Sequence, residues 1–154
     1  MAPPLTVLAP VAGTVVAMAD VPDPVFAGEI VGPGLAIDPS RDGTVVVVAP
    51  VAGTVVKLHP HAFVVQSASG RGALVHLGLD TVQLAGEGFT LHVQEGATVE
   101  AGDDVISWDP GQVASGGRSP ICPVVALQGT PGDVSPLAQV GAAVDAGDPL
   151  LEWR

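Results

Sequence analysis

His59, His61, His76 and His92 are the only imidazoles in a 154-residue chain that has no tyrosine and one cysteine. Three of them fall in two neighbouring segments, Lys57-Leu58-His59-Pro60-His61-Ala62-Phe63 and Val75-His76-Leu77-Gly78-Leu79-Asp80-Thr81. Between these lies Ser67-Ala68-Ser69-Gly70-Arg71-Gly72, which has the composition of a hairpin turn. Pairing 62–66 with 73–77 across that turn would set His61 and His76 on adjoining strand ends. Neighbouring strands are about 4.8 Å apart, so the two rings could converge on one small anion or metal ion. Asp80, four residues beyond His76, is either a turn- or helix-capping residue or a negative charge placed beside the imidazole. His92 stands alone and reads as a solvated side chain. Cys122, in Pro120-Ile121-Cys122-Pro123, has no basic neighbour in sequence to stabilise a thiolate. It reads as a buried structural thiol.

The elements that must hold these residues are strands. The chain is rich in Val, whose branched Cβ suits a pleated sheet and crowds a helix. Gly 20 and Pro 15 supply dense turn punctuation, while 47 % hydrophobic content excludes a disordered low-complexity chain. Strands are expected near 14–17, 44–48, 54–57, 62–66, 73–77, 89–93, 105–108, 124–127 and 150–153. Single helical turns are expected near 79–82 and 135–140, and Pro110 to Ser119 is expected to be a flexible surface loop. Two motifs recur. Ala9-Pro10-Val11-Ala12-Gly13-Thr14-Val15-Val16 reappears letter for letter as Ala49-Pro50-Val51-Ala52-Gly53-Thr54-Val55-Val56. Glu95-Gly96-Ala97-Thr98-Val99-Glu100-Ala101-Gly102-Asp103 matches Val140-Gly141-Ala142-Ala143-Val144-Asp145-Ala146-Gly147-Asp148, and each copy runs on to a tryptophan, Trp108 or Trp153. Two motifs each used twice predict an internally duplicated all-β domain, not a solenoid, which needs at least three stacked units. Both motifs read as structural, the first as a tight strand-to-strand turn whose glycine takes a positive φ.

Sixteen acids against five Lys and Arg give a formal net charge of −11. That excludes nucleic acid as a natural partner, because phosphate binding needs a basic surface, and disfavours an anionic membrane surface. The longest apolar run, Val45 to Ala52, is far below the roughly 20 residues that span a bilayer. No basic residue precedes the first apolar stretch, as a secretory signal would require. A cytoplasmic, single-domain protein covering residues 1–154 is expected.

Six segments, in order, resemble the glucose-type enzyme IIA of the bacterial phosphoenolpyruvate-dependent sugar phosphotransferase system. They are Val21-Pro22-Asp23-Pro24-Val25-Phe26-Ala27, Ile30-Val31-Gly32-Pro33-Gly34, Ala49-Pro50-Val51-Ala52-Gly53-Thr54, His61-Ala62-Phe63, Val75 to Thr81, and Gly86-Glu87-Gly88-Phe89. The resemblance implies an antiparallel β-sandwich, barrel-like, with duplicated hairpin motifs and little helix. It implies a phosphoryl carrier in which His76 accepts the group on Nε2 from the phosphocarrier protein HPr. His76 then passes it to a cysteine in the IIB domain of a sugar permease. His61 would bind the phosphoryl oxygens, the Gly78 carbonyl would hold the His76 tautomer, and Asp80 would add negative charge near the phosphate. His59 stands where many members have Thr, and reads either as the residue that orients His61 or as a solvated side chain. The resemblance implies a docking face formed by Asp23, Val25, Phe26, Ile30, Val31, Leu74 and Leu77, through which members of the family also regulate transporters and enzymes. No cofactor and no resident metal are expected, and a monomer is expected because two partners must share one face.

Two rival readings differ in kind. His59-x-His61 and His76-x-x-x-Asp80 are also ligand elements of lysostaphin-type zinc hydrolases, but here they occur in the reverse order. A biotinyl or lipoyl carrier would need a lysine at a hairpin tip, typically between two methionines, and the only lysine, Lys57, lies between Val56 and Leu58.

Overall fold

The computed structural model describes residues 3–154; Met1 and Ala2, the start of the uncharged N-terminal segment, lie outside the described residues. In chain order the strands are β1 (Leu5–Leu8), β2 (Gly13–Ala17), β3 (Gly34–Pro39), β4 (Val45–Val48), β5 (Gly53–His59), β6 (Ala62–Gln66) and β7 (Gly72–His76). They continue with β8 (Thr90–Leu91), β9 (Thr98–Val99), β10 (Asp104–Trp108), β11 (Cys122–Ala126), β12 (Val134–Pro136), β13 (Ala143–Val144) and β14 (Pro149–Trp153). Every paired neighbour is antiparallel. One sheet has eight strands, in the order β13-β2-β3-β11-β7-β6-β5-β9, and two sheets of three strands have the orders β1-β14-β12 and β4-β10-β8. The result is an all-β sandwich with short helical pieces, as expected. All three sheets contribute to one core, which includes Val7, Val15, Ile37, Val47, Phe63, Val75, Ile106, Trp108, Leu150 and Leu151. Burying such aliphatic side chains contributes roughly 1.5–3 kcal/mol each before entropy is counted.

The duplication predicted from the repeats is visible in the hydrogen bonds. The Leu8 amide donates to the Pro50 carbonyl and the Val48 amide to the Pro10 carbonyl, each at 2.8 Å. The Ala9 amide donates to the Asp148 carbonyl at 2.7 Å, and its counterpart Ala49 to the Asp103 carbonyl at 2.8 Å. Asp103 and Asp148 close equivalent turns by accepting from the amides of Glu100 and Asp145 through their carboxylates, both at 2.8 Å.

The repeated Pro-Val-Ala-Gly-Thr segment is nevertheless not a hairpin turn. It carries the chain from one sheet to another, from β1 to β2 and from β4 to β5. The glycine ends each crossing against a neighbouring strand. A Cβ at Gly13 would overlap the Asp38 carbonyl, and one at Gly53 the Gln66 carbonyl. Gly53 has φ 153, while Gly13 lies outside the positive-φ set, so close backbone approach is the requirement common to both.

Other differences have local causes. Pro110 to Ser119 is half helix. The helix α2 (Pro110–Ser115) starts at Asp109, whose carboxylate accepts from the Gln112 amide at 3.1 Å, with proline in its first turn. A similar Asp-Pro start builds α1 (Pro24–Ala27), capped by Asp23 through the Val25 amide at 2.9 Å. These are the side-chain cap and first-turn proline of short helices, here outweighing the flexible glycine and serine around them. The helical turn expected at 135–140 does not form: Val134–Pro136 is the strand β12, paired with β14, and 137–140 follow as bends and a turn. The turn expected near 79–82 is a 3₁₀ turn at Thr81–Leu84.

Candidate functional site

The hairpin expected from residues 57–81 forms. Strands β6 and β7 pair with Ala62 opposite His76, and the Leu77 amide donates to the His61 carbonyl at 2.7 Å. The two histidines thus end adjoining strands, and their ring centroids lie 5.2 Å apart at an interplanar angle of 69°. Both are half-buried. His59, at the end of β5, stacks on His61 with centroids 5.7 Å apart and planes at 25°. His92, on the other hand, is exposed and bonds Ser107 Oγ through Nε2 at 2.6 Å.

The His76 ring is held by its own chain. Nδ1 lies 2.5 Å from the Gly78 carbonyl oxygen. A carbonyl only accepts, so Nδ1 carries the proton and Nε2 presents a free lone pair. Gly78 has φ 78, and a Cβ there would press on the Thr81 side chain and the Ser119 carbonyl, so no other residue places that carbonyl without strain. Thr81 is fully buried, and its hydroxyl donates to the Leu77 carbonyl at 2.7 Å. The Leu79 amide donates to the Ser119 carbonyl at 2.9 Å. This clamp on the loop after His76 gave no signal in sequence, because the partner that closes it is a backbone group some forty residues away.

Burial lowers the pKa of His76 below 6.5, against opposing contributions from the Gly78 carbonyl and from Asp23 and Asp80. Burial also lowers that of His61, reinforced by the neighbouring His76 and His59 rings. Both shifts favour the uncharged rings, the form in which His76 Nε2 keeps a free lone pair. Asp80 sits exposed at the start of the 3₁₀ turn in a left-handed conformation, φ 59, which Asp tolerates better than most residues. Cys122 does not join the site. It is fully buried in β11, and burial pushes its thiol up to about 12.

Around the histidines the structure separates the seven expected surface residues. Val25 and Ile30 are 42 % and 73 % exposed. Val31 and Leu74 are half-buried and pack on a small second core of Met18, Val21, Phe26, Ala36, Leu79 and Val125. Asp23 is half-buried at the start of α1. Phe26 is buried, and its ring lies 5.2 Å from that of His76, so it forms a wall of the site and not a free surface. Leu77 belongs to the main core with no exposed surface. Its expected place on the surface is wrong, because β7 ends at His76 and the next side chain alternates to the inner face.

Fold and site together define a class, an all-β domain carrying a pair of histidines on adjoining strand ends, one of them held in a single tautomer by a backbone carbonyl. The chain belongs to the phosphoenolpyruvate-dependent sugar phosphotransferase system EIIA 1 family, whose model matches residues 5–131. It is 42 % identical over 144 residues to a glucose-specific EIIA component of Bacillus cereus, covering 92 % of this chain and 85 % of that one. It is 38 % identical over 151 residues to the N-acetylglucosamine-specific EIICBA component of Klebsiella pneumoniae, covering 97 % of this chain but 23 % of that longer protein. The structure of glucose permease IIA from Mycoplasma capricolum superimposes with a TM-score of 0.86 at 35 % identity, over 98 % of this chain and 96 % of that one. The family is a component of a phosphotransferase system, and no helix among the described residues is long and apolar enough to cross a membrane.

Proposed function

We propose that residues 1–154 form one phosphoryl-carrier domain, working in the cytoplasm as a monomer between HPr and the IIB domain of a sugar permease. The observation that carries the reading is the bond from His76 Nδ1 to the Gly78 carbonyl, which leaves Nε2 bare beside His61. In the first step Nε2 attacks the phosphorus of phospho-HPr. The P–Nε2 bond forms as the P–N bond to HPr breaks, the electron pair of that bond leaves with the HPr imidazole, and the proton stays on His76 Nδ1, donated to the Gly78 carbonyl. In the second step a IIB thiolate attacks the same phosphorus and His76 leaves with its electron pair. Phosphoryl transfer passes through a loose transition state, so the protein's task is positioning and charge stabilisation. His61 meets that need as a hydrogen-bond donor to the phosphoryl oxygens. Asp23 and Asp80 place negative charge near the phosphate, which keeps the P–N bond easy to pass on. His59, stacked on His61, orients it.

Val25, Ile30, Val31 and Leu74 form the apolar patch on which the partners dock. Net charge −11 steers basic partner surfaces toward it, and regulated transporters or enzymes would read the same face. The zinc-hydrolase reading gains no observation: among the described residues no group of three or more His, Cys, Asp and Glu is arranged to hold a metal ion. The test is to incubate the purified chain with phosphoenolpyruvate, enzyme I and HPr, and to map the product by intact mass and peptides. One acid-labile phosphoryl group on His76 is the expected result. No gain with active upstream components, or a phosphoryl group on another residue, overturns the reading.

A further inference from the structure

The tautomer of His76 depends on where the Gly78 carbonyl points, because that oxygen takes the Nδ1 proton. A glycine at φ 78 has wide torsional freedom of its own, so other groups must aim its carbonyl. A trans peptide is planar, with its N–H and C=O directed to opposite sides, so holding one group fixes the other. The Gly78 carbonyl shares its plane with the Leu79 amide, which donates to the Ser119 carbonyl at 2.9 Å. The plane before it carries the Leu77 carbonyl, which accepts from the Thr81 hydroxyl at 2.7 Å. Both torsions of Gly78 lie between these two planes. The carbonyl therefore keeps its direction only while both are held.

Thr81 is unusual for its surroundings. It and Ser67 are the buried polar side chains among the described residues, and Thr81 has no exposed surface at all. A buried hydroxyl is unfavourable unless it is bonded, and valine would fill the same space with no polar group to satisfy. The Thr81 methyl group already packs on Gly78, since a Cβ built there would lie 2.7 Å from it. Packing thus accounts for the methyl group and leaves the hydroxyl to be explained by its bond to the loop.

We propose that Thr81 is a positioning residue for His76. Its hydroxyl holds the 77–78 peptide, the Ser119 carbonyl holds the 78–79 peptide, and together they aim the Gly78 carbonyl at Nδ1. That selects the tautomer whose Nε2 is bare. Buried as it is, Thr81 meets no incoming group and acts only through Gly78. The consequence for phosphoryl transfer rests on the carrier reading above, whereas the choice of tautomer does not.

The test reads the His76 ring itself. Protein labelled with ¹⁵N in its histidine rings gives distinct signals for a protonated and a bare ring nitrogen, with no partner or phosphoryl group present. Spectra are taken well above about 6.5, the unperturbed histidine pKa. The unaltered protein should show Nδ1 protonated and Nε2 bare. Thr81→Val should move both signals toward the average of the two tautomers, and Thr81→Ser, which keeps the hydroxyl, should return them. With phospho-HPr in single turnover, Thr81→Val should accept the group about three- to tenfold more slowly, the span of one net hydrogen bond, and Thr81→Ser should recover the rate. Unchanged ring signals in Thr81→Val overturn the proposal. So does an equal shift in Thr81→Ser, which would assign the effect to the methyl group. If Thr81→Val does not fold, Thr81→Ala and Thr81→Ser form the deciding pair, since both lack the methyl group and differ only in the hydroxyl. A chain that shows the tautomer shift but takes no group from phospho-HPr defeats the carrier reading and supports the positioning role.

Discussion

The two copies of Ala-Pro-Val-Ala-Gly-Thr-Val-Val do the same mechanical work and lead to different ends. Each crosses between sheets, each has its proline carbonyl bonded by the amide of the residue that precedes the other copy, and each launches a strand of the eight-stranded sheet. Beyond the repeat they diverge. The first copy runs through β2 into the 3₁₀ turn Met18–Asp20 and then α1, which brings Asp23 and Phe26 to the site. The second runs through β5 to His59 and the turn that holds His61. The two ends meet at His76, with Phe26 on one side and His61 on the other, both at 5.2 Å. Where the copies are identical they serve the fold. The candidate chemistry begins where they stop matching, since a repeated scaffold is free to vary only beyond the residues that build its corners.

The sharpest test of that division is at the divergent ends. His76→Gln should abolish phosphorylation altogether. His61→Gln should still accept the group from HPr but lose about 10²–10³ in onward transfer, the range for removing one positioned transition-state donor. Single-turnover transfer assays separate the two steps, and equal loss of acceptance in both variants would break the assignment.

At the identical corners the expected losses are in stability. Gly53→Ala should cost about 3 kcal/mol, and Gly13→Ala about 1–3 kcal/mol, by urea unfolding. Each new Cβ meets a carbonyl of the neighbouring strand, and Gly53 adds a φ of 153 that L-residues avoid. A Gly13 variant less stable than the Gly53 variant would contradict that ranking.

The pH dependence belongs to the divergent ends again. The folded-state pKa values of His61 and His76 lie below the 6.5 of an unperturbed histidine. Below 6.5 the unfolded chain therefore binds more protons than the folded one. Their contribution to stability is complete above 6.5 and is lost as pH falls through the folded values. The thermal midpoint of the unaltered protein should drop with acidification more steeply than that of the double variant His61→Gln/His76→Gln. His59→Gln should raise the His61 pKa, followed by NMR titration of the His61 ring, because the His59 ring opposes charge on its neighbour. The smallest effect is expected at the twin turns. Asp103→Ala and Asp148→Ala should each cost about 0.5–1 kcal/mol for one lost hydrogen bond, and unequal losses would show that the two copies carry different loads.

Much of this was legible in the residues. Strands at the nine expected places follow from valine content, alternation and turn residues, which are local properties. β9 and β13 are the short strands at Val99 and Val144 inside the second repeated motif, flanked by its turns, whereas β1, β3 and β12 have only a weak local pattern. The meeting of His61 and His76 was legible because a single hairpin joins them, and hairpin register is set by a short turn. The Asp-Pro starts of α1 and α2 are local cap signals carried by the sequence itself.

By itself, then, the sequence determined the all-β class, the duplication, the acidic balance and the pairing of His61 with His76, because each depends on residues close together or on letters that repeat. Only the tertiary structure decided that the repeated glycines are corners between sheets, that Leu77 faces the core, and that Phe26 walls the His76 ring. Those facts depend on which distant backbone or side chain comes to lie alongside. That is settled by packing over the whole chain and has no local signature.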